Sequence, residues 1–535
     1  MAGQVIEQIH NHIKQKNNFL LSGGAGSGKT HTLTQVIDII RSENPIANIA
    51  CITFTNVAAD EIKSRSPYKN LKVSTIHDFL WDIIKKYQQN LKTVLCELIS
   101  NNSENDKLGI KYEGDIVLDV EYFKDKSIEY KDYRKLDEGI IWHDDVIRIA
   151  HRLFEKYPLI CKIVKDKYPY ILVDEYQDTD KLVIDILLDF LQKDGSKSNV
   201  IGFFGDSMQS IYDDKGICNI QSFVDKGLVK EVKKEDNYRC SIKVIELINQ
   251  IRNDGIVQNA SGNNKPGKIT FLYSNSPDFS ISNFKANTDI FSGWDFNNSK
   301  ETKELYLTHK LIAKEYGFTT LLSCYKNSDR LLGDENNRDM LTNHLLKIQE
   351  LISLYEHKKY NDVIKKTSFK IQKLQDKKTL QGKIEDLKSS TTTIEDLISL
   401  ADRNMLIRID DKLNEFIKEE SEQYNKIKVL DRTQVEKVYN YIEGYSPYST
   451  QHGIKGAEFE NVFVVLDNGN WSKYNFKYLF ENTLHKDTII DRTRKVFYVC
   501  CSRAKNNLVV FFHKPSATVI AKAKIWFGEN NVREI

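Results

Sequence analysis

A chain of 535 residues has room for three or four domains, and its 28% charged and 40% hydrophobic residues are those of an ordinary soluble globular protein. The formal net charge of +2 supplies no chain-wide basic excess, so any surface for nucleic acid has to be local. Eight cysteines without a C-x-x-C pair point to neither a zinc site nor a disulfide framework; with no signal-peptide pattern and no apolar run near about 18 residues, the expected location is a reducing cytoplasm, away from membranes.

In chain order, residues 5–13 read as a short amphipathic helix, with Gln8 and Gln4 as alternative amides for reading adenine. Phe19-Leu20-Leu21 reads as a buried strand, and Leu33, Val36, Ile37 and Ile40 recur at helical spacing. Between them stands Gly23-Gly24-Ala25-Gly26-Ser27-Gly28-Lys29-Thr30, which fits G-x-x-x-x-G-K-[ST]. Strand, Gly-rich loop and helix is the context in which backbone N–H groups and a helix N-terminus close on phosphate oxygens. Lys29 is expected on the β- and γ-phosphates of a nucleoside triphosphate, and Thr30 on Mg²⁺.

Residues 49–54 form a second apolar strand ending in Thr53-Phe54-Thr55-Asn56, followed by a helix over 57–65. Ser74-Thr75-Ile76-His77 opens another helical pattern to residue 84. Residues 86–141 are polar and weakly periodic, an insertion without a large core of its own, and 142–157 return to helical spacing. The strand 170–174 ends in Asp174-Glu175-Tyr176-Gln177-Asp178-Thr179. A carboxylate pair at a strand's C-terminal end is where an open α/β sheet places its chemistry: Asp174 to hold Mg²⁺, Glu175 to orient or deprotonate water. After the strand 200–204, Gln209 is placed to sense the γ-phosphate, and Asn237-Tyr238-Arg239 precede a helix over 244–251. Strands are expected at 268–273, 304–308, 462–466 and 508–512, with a long, charged, helix-rich block at 340–430.

The motifs GAGSGKT, TFTN-x-AA, T-x-H, VDE-x-QDT, GD-x-x-QSIY, NYR, T-x-H-x-x-KG-x-EF and FYV-x-x-SRAK follow one another in this order. In that order the chain resembles the UvrD/Rep/PcrA family of superfamily 1 helicases, in a shortened form, up to about residue 513. The resemblance implies an α/β fold of two RecA-like parallel-sheet cores with mainly helical insertions and ATP between the cores. The first core would be residues 1–85 and 142–252 with the insertion 86–141, and the second 253–339 and 431–535 with the insertion 340–430.

By the same resemblance, Arg239 and Arg503 reach the γ-phosphate, where a guanidinium stabilises charge spread over the phosphoryl oxygens. Tyr238 stacks on adenine and Glu458 binds the ribose. Phe54 offers a base pocket, Thr53, Thr55, His77, Thr450 and His452 contact the DNA backbone, and Tyr212 stacks on or supports a base. Four positions depart from the pattern. Asp214 stands where relatives stack an aromatic on DNA, and Lys215 replaces the arginine after it. His31 replaces the arginine that sandwiches adenine, and Val57 the lysine of TFTNKAA. The expectation is an ATP-dependent, 3′–5′ helicase or translocase on single-stranded or partly duplex DNA. The alternative is a DNA-stimulated ATPase similar to the helicase-like subunit of anti-phage systems such as Gabija, which senses DNA and regulates a separate nuclease.

Overall fold

The computed structural model describes residues 2–100, 108–192, 199–211, 220–286 and 288–535. Tyr212, Asp214 and Lys215 lie outside them. The chain divides into two compact units, Met1–Pro266 and Gly267–Ile535. Among the described residues no helix is long and apolar enough to cross a membrane.

The first unit is built on a six-stranded sheet, every pair parallel. Its order is Leu71–Thr75, Ile49–Thr53, Tyr170–Asp174, Val200–Gly205, Asn18–Gly23, Val229–Lys234. The central strands are apolar on both faces because both faces are covered. Leu20, Ile52, Val173 and Phe203 enter one core. Their neighbours Phe19, Leu21, Cys51, Leu172 and Phe204 enter the other, beside Val5 and Ile9 of the helix Ala2–Lys14. The insertion adds the helix Gln88–Ser100, whose Leu91, Val94, Leu95 and Leu98 join the first of these cores. It is therefore an extension of the sheet's own packing. Residues 253–266, read from the sequence as the start of the second core, belong to this first unit. Asn259–Ala260 pairs with Asp236–Asn237, and Gln258 bonds the phosphate loop.

The second unit repeats the plan with another all-parallel sheet. Its order is Tyr448–Thr450, Thr302–Tyr306, Phe459–Val465, Ala504–His513, Lys268–Ser274, Val532–Glu534. Leu272, Phe463, Val465 and Phe511 share one core with Leu341, Leu345, Ile348 and Leu351 of the helix Met340–Glu356, so the charged block rests on one face of the sheet. Phe271, Phe480, Phe497 and Trp526 form an aromatic layer elsewhere in this unit.

Candidate active site

The phosphate loop leaves the strand Asn18–Gly23 and enters the helix Lys29–Glu43 with Gly26 and Gly28 at φ 73° and 78°. Both are left-handed conformations that glycine adopts without strain, and they are what turns successive N–H groups inward. The Lys29 ammonium is buried and donates to the carbonyls of Gly23 at 3.0 Å and Gly24 at 3.1 Å. Burial lowers its pKa, opposed by the charges of Asp206, Glu175 and Asp174. Ser27 Oγ is buried with no hydrogen-bond partner among the described residues, an oxygen that suits a phosphate-binding loop.

Opposite the loop, the strand Tyr170–Asp174 delivers its carboxylate pair. Asp174 Oδ2 accepts from Thr30 Oγ1 at 3.5 Å. Burial, with the neighbouring Glu175 charge, pushes the Asp174 carboxyl up to about 7. A buried carboxylate beside a threonine hydroxyl fits Mg²⁺, which takes few protein ligands and relies on phosphates and water for the rest. The described residues hold no cluster of three or more His, Cys, Asp or Glu that would make a self-sufficient metal site. Glu175 sits at φ 51°, a conformation costly for a side-chain-bearing residue and typical of functional turns.

A chain of amides runs on from Glu175. Glu175 Oε2 accepts a short hydrogen bond from Gln177 Nε2, and Gln177 Oε1 accepts from the Asp206 N–H at 3.1 Å. Asp206 accepts from Gln209 Nε2 at 2.8 Å and pairs with buried Arg252 at 3.1 Å. Burial works against the Asp206 charge, but Arg252 and Lys29 outweigh it and hold the carboxyl below its usual range. Gln209 is thus connected to Glu175 through Asp206 and Gln177.

The segment after the last strand of this sheet packs on the loop. Asn237 Nδ2 donates to the Ala25 carbonyl at 3.1 Å, and its Oδ1 accepts from the N–H groups of Arg239 and Cys240. The Tyr238 N–H donates to the Gly26 carbonyl at 2.9 Å, leaving an exposed ring beside Gly28. Arg239 lies near enough to Lys29 for its charge to oppose the ammonium. Sequence reading missed Gln258, which is 2% exposed and donates Nε2 to Ala25 O at 3.0 Å. A Cβ on Gly24 would come within 2.2 Å of its amide carbon. Arg252 was missed too. Neither stands in a local motif, and only the fold brings them to the loop and to Asp206. Gln8 and His31 are exposed on their helices.

Thr53, Phe54 and Thr55 leave one strand beside the start of the next helix, where Thr53 is in register with Thr75. Thr53 Oγ1 is buried without a partner among the described residues, Phe54 is 47% exposed, and Thr55 Oγ1 caps its helix by accepting from Ala58 N–H at 3.2 Å. The His77 ring lies 5.0 Å from that of His143. In the second unit Thr450 and His452 line one cavity, and Glu458 is exposed just before the strand Phe459–Val465. Arg503 is fully buried there. Its guanidinium donates to the carbonyls of Val499 at 3.0 Å and Ala457 at 3.3 Å.

A phosphate loop facing a strand-end carboxylate pair, on one of two RecA-like parallel-sheet units, defines an ATP-hydrolysing enzyme of the helicase type. Residues 6–215 match the family model of an AAA domain. The Gabija protein GajB of Bacillus cereus (strain HuB5-5) is 27% identical over an alignment covering 98% of this chain and 97% of GajB. The ATP-dependent DNA helicase PcrA of Bacillus subtilis (strain 168) is 30% identical over 43% of this chain and 37% of PcrA. PcrA of Staphylococcus epidermidis (strain ATCC 12228 / FDA PCI 1200) is 29% identical over the same shares. The chain is thus similar to GajB along nearly its whole length and to the UvrD/PcrA-type helicases over less than half of it.

Proposed function

We propose that the chain hydrolyses ATP on single-stranded DNA and moves 3′ to 5′ along it, as the helicase-type subunit of an anti-phage system that works beside a separate nuclease. The observation that carries this reading is the likeness to GajB, which runs over 97% of that protein, where the likeness to PcrA covers 37%. In this reading Lys29 and the loop N–H groups from Gly23 to Thr30 hold the phosphates. Thr30 and Asp174 hold Mg²⁺, which neutralises charge building on the phosphate oxygens. Glu175 orients the attacking water, and Gln209 reports the γ-phosphate along the Gln177–Asp206 chain. Arg239 and Arg503 stabilise the spreading phosphoryl charge. Tyr238, Glu458, Gln8 and His31 are the candidates for the adenosine. Thr53, Phe54, Thr55, His77, Tyr212, Thr450 and His452 are the candidates for DNA.

ATPase and strand-displacement assays run side by side, with and without single-stranded DNA, test the motor. Stimulated hydrolysis with displacement of short duplexes is the expected result. Hydrolysis indifferent to DNA would overturn it. Stimulated hydrolysis with no displacement on any tailed duplex would favour the second reading, a sensor that regulates the nuclease without unwinding. That reading is motivated by Asp214, which stands where relatives stack an aromatic on DNA, and by Lys215, which replaces the arginine after it.

A further inference from the structure

Residues 249–258 touch both the phosphate loop and the segment that carries Gln209. At one end Gln258 bonds the Ala25 carbonyl, and its own N–H and carbonyl are pinned by the Asn249 side chain at 2.9 and 2.8 Å. At the other end stands Arg252, the first residue past the helix Ile242–Ile251. It reaches Asp206, which follows the strand Val200–Gly205. The two side chains are 1% and 0% exposed. Arg252 donates Nη2 to Asp206 Oδ1 at 3.1 Å and Nη1 to Oδ2 at 3.4 Å. Its Nε donates to Asp254 Oδ1 at 3.0 Å, and Asp254 Oδ2 accepts from Ser207 Oγ at 3.2 Å. One planar guanidinium is thus held between two carboxylates, with Ser207 closing the ring of contacts.

A buried ion pair adds little to stability once desolvation is counted, so its use lies in what the charge does. The Asp206 carboxylate accepts from Gln209 Nε2 at 2.8 Å and from the Met208 N–H at 3.2 Å. An ionised carboxylate can only accept, whereas a protonated one also donates. A charged Asp206 therefore requires the NH₂ end of the Gln209 amide and sends the carbonyl to the opposite side. A neutral Asp206 would take either end. Two cations face Asp206, Arg252 from the helix end and Lys29 from the phosphate loop. Burial opposes the charge, and Arg252 is the larger of the two that sustain it. In the proposed reaction Lys29 engages phosphate, which leaves Arg252 as the constant partner.

We propose that Arg252 is a positioning residue of the ATPase: by pairing with Asp206 it fixes which end of the Gln209 amide faces the nucleotide. This rests on the reading of Gln209 as the reporter of the γ-phosphate. It gives residues 249–258 one task at each end, Gln258 shaping the loop that holds phosphate and Arg252 setting the amide that reports it.

The test is steady-state ATP hydrolysis by the full chain, with single-stranded DNA, across a pH series. Arg252→Met should lower kcat roughly tenfold or more with KM for ATP within about threefold of wild type. The ratio of variant to wild-type kcat should fall further from about pH 8 to about pH 6, because the buried carboxyl then faces Lys29 alone and takes up a proton. Arg252→Lys keeps a charge against Asp206 and should hold kcat within about threefold of wild type, at a ratio independent of pH. In a Gln209→Ala background Arg252→Met should cost no further turnover, since its effect runs through that amide. Arg252→Met combined with Asp206→Asn removes both charges, so it should melt near the wild-type temperature while kcat stays low. A flat ratio for Arg252→Met, the same loss for Arg252→Lys, an equal further loss in the Gln209→Ala background, or recovered kcat in the charge-free double variant overturns the positioning role. Gln209→Ala turning over like wild type overturns the γ-phosphate reporter of the function proposed above, and this inference with it.

Discussion

Gln258 donates its amide Nε2 to the carbonyl of Ala25 at 3.0 Å, across 233 positions of sequence, and Asn237 donates to the same carbonyl. Two amides therefore hold one peptide of the phosphate loop with its carbonyl turned outward, which leaves the following N–H groups for phosphate. Gln258→Met keeps the bulk and removes the donor. It should weaken ADP and ATP binding about fivefold or more, the scale of a lost buried hydrogen bond, and leave binding of adenosine unchanged. Calorimetric titration with the three ligands checks this, and an equal loss for adenosine would refute it. Gly24→Ala should be as damaging because its methyl meets the Gln258 amide, and the double variant with Gln258→Ala should recover part of the loss.

Lys29→Ala should abolish ATP hydrolysis and leave a folded protein. The ammonium contributes to no apolar core, and the Gly23 and Gly24 carbonyls it bonds belong to its own loop. A steady-state phosphate-release assay alongside circular dichroism is the check. Turnover near that of wild type would remove the loop from the reaction.

Glu175→Gln should bind ATP with near-normal affinity and turn it over about 10²–10⁴-fold more slowly, the usual contribution of a positioned acid or base. The amide keeps the size of the carboxylate and can still face Gln177, so the Gln177–Asp206–Gln209 connection need not collapse. Single-turnover kinetics separate binding from chemistry. Unchanged turnover would move the catalytic role to another residue.

Much of this was legible because the signals were local. The strand 170–174 is found as Tyr170–Asp174, and the helix 57–65 as Asn56–Arg65. In each case apolar spacing and a capping threonine or strand-end carboxylate sit within a few residues of one another. Phosphate loop and carboxylate pair face each other because two strands of a parallel sheet, far apart in sequence, end on the same edge. What sequence could not give was Gln258 and Arg252. A buried amide and a buried ion pair acquire meaning only from partners that the fold supplies: Ala25 and Asp206. The boundary at residue 253 moved for the same reason, since nothing in 253–266 announces that it folds back on the loop.

His452 gives the second unit a pH dependence. Its ring stays neutral in the native state down to about 4, while in the unfolded chain it titrates near 6.5. As pH falls through that window the unfolded state binds a proton that the native state refuses, so the stability owed to this group is complete above about 6.5 and is lost toward 4. His452→Gln should reduce the acid-side fall in melting temperature of the second unit between pH 6.5 and 4, without changing it above pH 7. Thermal melts of both proteins across that range are the measurement. Parallel curves would place the titrating group elsewhere.

Arg503 is better tested by a conservative variant than by truncation, because its surroundings depend on it. The side chain is fully buried, and its guanidinium serves the carbonyls of Val499 and Ala457 as well as Ser502 Oγ at 3.0 Å. Truncation to alanine would strand two buried acceptors, at about 1–3 kcal/mol each, and a loss of turnover could then reflect a weakened second unit. Arg503→Lys keeps a charge and part of the bonding but lacks the planar fork that spreads over phosphoryl oxygens. If Arg503 acts on the transition state, Arg503→Lys should lower kcat at least tenfold with KM for ATP within about threefold of wild type and the melting temperature nearly unchanged. Arg239→Lys should behave alike, since its charge already reaches Lys29. A rise in KM with kcat intact would make either arginine a ground-state clamp, and a lowered melting temperature with normal kcat would leave Arg503 a structural residue of the second unit.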